Sequence, residues 1–210
     1  MALKPLTALV LSATLLLTSF SALAQESGSA AVEVRNMNFN FINAGQRGNW
    51  HETEIQLDVR RANNPEVSNL AFASNIQVTL YLCFQVGRGD DARLVYYTSE
   101  VEVAAMERGT RQDRVRFYLP PEIVKRDRIA RADPFAFLVE IRADGNEVPL
   151  TRESTRRVSS NLQSAEAVRN FLDRVGSEAR INDGILQPIF YTPFWNDRRA
   201  DDAPPFIRNR

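Results

Sequence analysis

The run Ile-Gln-Val-Thr-Leu-Tyr-Leu-Cys-Phe-Gln-Val, residues 76 to 86, constrains the fold more than any other part of the chain. Ile76, Val78, Leu80, Leu82, Phe84 and Val86 fall on one face, a period of two that belongs to a β-strand. The other face, Gln77, Thr79, Tyr81, Cys83 and Gln85, is only mildly polar, which predicts a central strand. Residues 67 to 87 carry no charge and are long enough to span a bilayer. Asn69, Asn75, Gln77 and Gln85 interrupt them, so no transmembrane span is expected in the mature chain.

The same alternation recurs on both sides. Val32 and Val34, then Met37, Phe39 and Phe41, alternate with polar residues, with a one-residue slip between the two sets. Ile55, Leu57 and Val59 alternate with Glu54, Gln56 and Asp58, after a Gly-rich break at residues 43 to 49. Asn63-Asn64-Pro65 reads as a turn, and Gly87-Arg88-Gly89-Asp90-Asp91 as the turn of a hairpin whose return strand covers residues 94 to 103. A strand at 114 to 119 leads into Pro120-Pro121-Glu122, which suits the first turn of a short helix ending near Ile129. Phe135, Phe137, Val139 and Ile141 mark one more strand. Asp144-Gly145-Asn146 turns it back into a strand near Val148 to Thr151.

About seven short strands separated by turns predict a mainly β chain, folded as an antiparallel immunoglobulin-like sandwich. A transmembrane barrel would also alternate, but it would lack the helices and would end in an apolar strand rather than Ile-Arg-Asn-Arg. Ser164, Glu166, then Val168, Phe171, Leu172 and Val175 at helical spacing before Gly176, predict a late amphipathic helix that covers something apolar.

The chain begins with Lys4 as its one early charge, an apolar run from about Leu6 to Phe20, and Ala22-Leu23-Ala24 before Gln25. These are the parts of a Sec-type signal peptide, with cleavage after residue 24. No Cys follows that site, and no prepilin-type Gly-containing site precedes the apolar run. Three regions are expected: the signal peptide, 1–24; a sandwich domain, 25–180, with helices near 120–130 and 164–176; and an aromatic and proline-rich segment with a charged tail, 181–210. Export places the protein in the periplasm or on the cell surface of a Gram-negative bacterium.

Removing Lys4 leaves 25 of the 26 basic residues against 26 acidic ones, so the mature net charge is near −1. A basic surface for nucleic acid is not expected. Lysine occurs only at Lys4 and Lys125, so 24 of the 26 basic residues are Arg.

The residue inventory excludes several chemistries. His51 is the one histidine and Cys83 the one cysteine, so a Cys/His zinc site or an intramolecular disulfide cannot be built from one chain. Any Ser-His-Asp or Cys-His centre would depend on His51, which follows Trp50 at a strand entrance and reads as structural or solvent-exposed. Cys83, in an alternating run, reads as a small buried hydrophobe. No Gly-rich phosphate loop and no spaced Asp loop for calcium is present. Asp90, Asp91 and Asp144 are accounted for by turns. Arg88-Gly89-Asp90 spells an integrin-recognition tripeptide, which chance and turn chemistry explain. Glu100 and Glu102 share a strand face and read as solvated rather than as a glycosidase pair. No catalytic residue, metal or other cofactor is expected, and the chain is not expected to be an enzyme.

Residues 185 to 195, Ile-Leu-Gln-Pro-Ile-Phe-Tyr-Thr-Pro-Phe-Trp, are the densest aromatic stretch. Three placements are open to them: a final edge strand, a segment packed back over the sheet, or an exposed docking segment offering Ile189, Phe190, Tyr191, Phe194 and Trp195 to a protein partner. The tail after Asn196 reads as disordered.

The signal sequence, the cysteine-poor antiparallel body, the late helix and the ending Ile181-Asn182-Asp183-Gly184-Ile185-Leu186-Gln187-Pro188 with Thr192-Pro193-Phe194 resemble the small secreted pilus-associated proteins of the Verrucomicrobia. The resemblance implies an immunoglobulin-like fold and a noncatalytic role in a type IV pilus-like system, and supplies no catalytic positions. The missing prepilin signal makes an accessory or assembly component the matching description. The leading expectation is therefore an envelope or cell-surface protein acting through a protein partner or self-association. Two alternatives stand beside it: a carbohydrate-binding sandwich using Trp50, Tyr96, Tyr97 or Trp195 as sugar platforms, and a hydrolase using scattered carboxylates.

Overall fold

The computed structural model describes residues 31–60, 72–109, 113–150, 154–197 and 201–207. The expected signal peptide and the turn at Asn63-Asn64-Pro65 lie outside the described residues. The protein is a two-layer antiparallel sandwich, as its alternation dictates. One sheet has the order β1 (Ala31–Asn43), β2 (Asn49–Arg60), β5 (Asp113–Leu119), β8 (Gln187–Pro188). The other has the order β7 (Asn146–Glu147), β6 (Ala136–Ala143), β3 (Phe72–Val86), β4 (Arg93–Glu107), β9 (Phe206–Ile207). Strands one, two and five in one layer, with three, six and seven in the other, follow immunoglobulin-like connectivity, and β4 is attached beside β3.

Each sheet turns its apolar row inward. Val32, Val34, Ile55, Leu57, Val59, Val115, Phe117 and Leu119 from the first sheet meet Ile76, Val78, Leu80, Leu82, Phe84, Tyr97, Val101, Val103, Val139 and Ile141 from the second. β3 is central, as its two faces predict, and is paired with β4 and β6 along most of its length. The slip read between Val34 and Met37 is a β-bulge between Val34 and Asn36, which keeps both apolar sets on the inner face. At the β3–β4 turn, Gly87 has φ +82°, and a Cβ there would lie 2.4 Å from the Asp91 carbonyl oxygen. Only glycine fits.

Three expected elements differ in extent. The return strand expected near 148–151 is shorter and earlier, Asn146–Glu147, with one further bond from the Val148 N–H to the Ile141 carbonyl. Pro149 has no N–H to continue the ladder. The short helix α1 (Pro121–Arg126) stops sooner than Ile129, and the late helix α2 (Ala165–Glu178) continues past Gly176. Val175 and Ala179 are both buried against the same apolar cluster, so packing carries the chain helically across the glycine. Ser164 caps α2 by accepting from the Ala167 N–H at 3.0 Å.

Both sheets are also covered on the outside. α2 lays Phe171 and Val175 over Cys83, Tyr96, Ala136 and Leu138 on the outer face of the second sheet. Residues 189 to 195 lay Ile189 and Phe194 over Trp50 and Tyr118 on the outer face of the first.

The tail, read as disordered, is seated from residue 201 to 207 as a clasp. Asp202 accepts from Arg116 Nη1 at 2.6 Å and from Arg114 Nη1 at 2.8 Å, and its carbonyl accepts the Arg114 N–H. Phe206–Ile207 then pair with β4 in the opposite sheet. Arg116 is buried and also donates to Glu54 at 2.8 Å. Burial works against its charge, and the bonds to Asp202 and Glu54 more than offset that, so its pKa stands above the ordinary arginine value. Ion pairs between elements far apart in sequence leave no local pattern, which is why the clasp is illegible in the tail's composition.

Arg116→Ala removes the buried cation shared by Glu54 and Asp202 and leaves them the more exposed Arg114. Unfolding by denaturant is expected to show a loss of about 2–3 kcal/mol, below the full buried-pair range because Asp202 is partly exposed.

Candidate functional site

The terminal aromatic segment is built by short 3-10 turns rather than by a strand. Gly184 takes φ +71°, turning the chain so that Leu186 enters the core between the sheets. Gln187–Pro188 then pair with β5 opposite Tyr118 and Phe117. The Thr192 hydroxyl donates to the Ile189 carbonyl at 2.7 Å and accepts from the Phe194 N–H at 3.3 Å, joining two consecutive 3-10 turns. Of the five side chains named as partner contacts, Ile189 is fully buried and Phe194 nearly so. Phe194 stacks on Tyr118 with ring centroids 4.8 Å apart and meets Trp50 edge-on at 5.4 Å. These two are cladding and are closed to a partner, because the outer face of the first sheet carries apolar rings that need cover.

Phe190, Tyr191 and Trp195 are placed differently. Phe190 meets Tyr191 at 4.6 Å, Trp195 at 6.4 Å and Phe206 at 5.2 Å, and Trp195 meets Phe206 at 6.2 Å. Tyr191 is 63% exposed, and Phe190, Trp195 and Phe206 are half-buried. Reading the sequence alone did not include Phe206, because it lies in the tail beyond the dense aromatic run. The result is a surface aromatic cluster at the point where segment and clasp meet.

The resembling ending is also structural in this chain. The buried Asn182 accepts from Arg126 Nη2 at 2.8 Å through Oδ1 and donates from Nδ2 to the Tyr96 carbonyl at 2.9 Å. Arg126 in turn holds Asp127, whose carboxylate also accepts from the Tyr97 hydroxyl. Burial pushes the Asp127 pKa up, and Arg126, Tyr97 and Arg93 together hold it below the usual carboxylate range. A cleft of about 620 Å³ opens here between α2 and β4. Its Arg93 and Arg126 both point to Asp127, at 3.6 and 2.7 Å, so these three charges are spent on one another.

His51 sits on the inner face of the first sheet, fully buried against the rings of Phe39, Phe41 and Phe84. Nε2–H donates to the Ala132 carbonyl at 2.7 Å, and Nδ1 has no partner among the described residues. Burial lowers its pKa to about 4. Cys83 lies under α2, and burial pushes its thiol up to about 11.

Trp50, Tyr96 and Tyr97 are each less than 10% exposed, so three of the four rings named as sugar platforms are closed; Trp195 is half-buried. Arg88-Gly89-Asp90 is exposed at the β3–β4 turn. Glu100 and Glu102 do share the outer face of β4, and Glu100 accepts from Gln77 and Thr79 of β3 at 2.6 and 3.0 Å. Among the described residues, no group of three or more His, Cys, Asp or Glu could hold a metal ion, and no helix is long and apolar enough to cross a membrane.

These features define an immunoglobulin-like sandwich clad on both outer faces by its own C-terminal third. No family model matches the chain, and no curated protein sequence does. Among solved structures it is similar to a crystal structure from Akkermansia muciniphila, at a TM-score of 0.56 and 14% identity, with 87% of this chain and 95% of that chain covered. At that identity the likeness is one of fold.

Two variants separate cladding from surface. Phe194→Ala is expected to lose about 3 kcal/mol in denaturant unfolding, whereas Tyr191→Ala stays within about 0.5 kcal/mol of the parent. His51 sets a pH signature. Its pKa is lower folded than unfolded, so its contribution is complete above pH 6.5 and is lost as pH falls toward 4. Up to about 3 kcal/mol is expected to disappear across that window, and His51→Phe, which cannot titrate, is expected to lack this component when unfolding is followed against pH.

Proposed function

We propose that this chain is a noncatalytic secreted envelope or cell-surface protein that acts by protein–protein contact, as an accessory or assembly component of a type IV pilus-like system. The observation that carries this reading is the surface cluster of Phe190, Tyr191, Trp195 and Phe206. Aromatic rings on a rigid support are what protein contacts use as anchors, since they bury large area at little entropic cost. The paired state of Arg93, Arg126 and Asp127, and the burial of His51 and Cys83, favour a contact role over a reactive one. The pilus-like setting is supported by the resemblance of residues 181–194 to pilus-associated proteins and by the fold likeness to a protein of a verrucomicrobial organism.

A photo-crosslinking residue at Tyr191, in the protein expressed in its source bacterium, is expected to form an adduct with a filament or filament-assembly component. The same residue placed at the buried Ile189 is expected to form none. Absence of a Tyr191 adduct, together with glycan-array binding that Trp195→Ala abolishes, would overturn the proposal in favour of sugar recognition.

A further inference from the structure

The chain covers its strand edges with short pieces of itself. β8 and the Asp202 carbonyl cap β5; β9 and the Pro205 carbonyl cap β4 at residues 102–104; β7 and residues 157–159 cap β6. Arg157 adds its guanidinium to the β6 edge, donating to the carbonyls of Val139 and Val148 at 3.0 and 2.9 Å. β1 is the long outer strand to which, among the described residues, no such piece is added: it pairs only with β2.

The two halves of β1 are treated differently. The N-terminal half has the bulge at Val34/Asn36, the charges of Glu33 and Arg35, and the Arg156 guanidinium on the Arg35 carbonyl. Charges and bulges of this kind keep an edge from pairing with other chains. The C-terminal half, Asn36-Met37-Asn38-Phe39-Asn40-Phe41-Ile42-Asn43, has no charge, no proline and no bulge over eight residues.

We propose that this half-edge is where two copies of the chain meet, β1 against β1 in antiparallel pairing about a two-fold axis, joining their first sheets into one. The proposal deepens the reading of a contact protein and rests on it. A two-fold axis places identical surfaces together, so any charge near the axis would face its own kind. None stands in 36–43. With the axis at Phe39, strand parity sets Met37 opposite Phe41 and Phe39 opposite Phe39 of the second copy on the core side. On the outer side Asn38 meets Asn40. The core-side row is apolar and incompletely covered: Phe41 is 38% exposed, and Met37 and Phe39 are half-buried at the rim of the core. Pairing with a copy covers this row and continues the ladder. A charged partner strand would find nothing on this edge to select it.

The test is sedimentation of the purified chain lacking residues 1–24, compared with Asn40→Lys. The parent is expected to dimerise reversibly. Asn40→Lys, which brings like charges together across the axis, is expected to raise the dissociation constant about tenfold or more with far-UV circular dichroism unchanged. Hydrogen exchange on the parent alone guards against a variant that fails to fold: protection of amides 36–43 is expected to rise with protein concentration. A parent that stays monomeric up to about 100 µM, a dimer indifferent to Asn40→Lys, or protection in 36–43 independent of concentration each overturns the pairing. Because the protein is tested alone, such a result leaves the Tyr191 adduct to decide the broader reading.

Discussion

Backbone N–H and C=O groups along the edges of an antiparallel sandwich have to find partners or face water, and that requirement organises this structure outward from its core. The inner layer is an ordinary solution: two apolar rows close on each other and exclude solvent. The C-terminal third then works on what remains. It enters the core at Leu186, touches the β5 edge at Gln187–Pro188, clads the outer face of the first sheet with Ile189 and Phe194, and crosses to the β4 edge at Phe206. One segment thereby serves both sheets, which ties the layers together more firmly than core contacts alone.

That arrangement changes the meaning of the aromatic run. Four rings within a few residues invite a reading as a docking arm, yet they are divided by depth: Phe194 is structural, Tyr191 is at the surface, and Phe190 and Trp195 lie between. The division has a simple cause. Trp50 and Tyr118 put apolar rings on the outer face of the first sheet, and the alternation of consecutive 3-10 turns points Ile189 and Phe194 at them while turning Tyr191 away. The buried polar groups follow the same economy. Asn182, Asp127 and Arg157 each meet backbone, hydroxyl or charged partners that tie one element to another.

Much of this was readable in the residues. The inward faces of the long strands, the central position of β3, the irregularity after Val34, the hairpin at Gly87 to Asp91 and the capping of α2 by Ser164 all follow from spacing and local chemistry. Less readable were elements whose existence depends on a distant partner. β8 and β9 are two residues each and carry no periodicity of their own. The seat of His51 depends on Ala132, far along the chain, and the order of the tail depends on Arg116 and Arg114 receiving Asp202. α2 runs past Gly176 for a related reason, since the glycine's helix penalty is small beside the burial of Val175 and Ala179.

Alternation is a property of neighbouring residues, so composition and order along the chain were enough to state a two-layer β body and to say which side chains point into it. Where the described residues from 181 onward lie was decided by tertiary contact: the ion pairs of Asp202, a few backbone bonds and a face of exposed rings, contributed by segments that meet only after the sandwich has closed. Such contacts are few and nonlocal, and nothing in the spacing of the residues that make them announces the partner they will find.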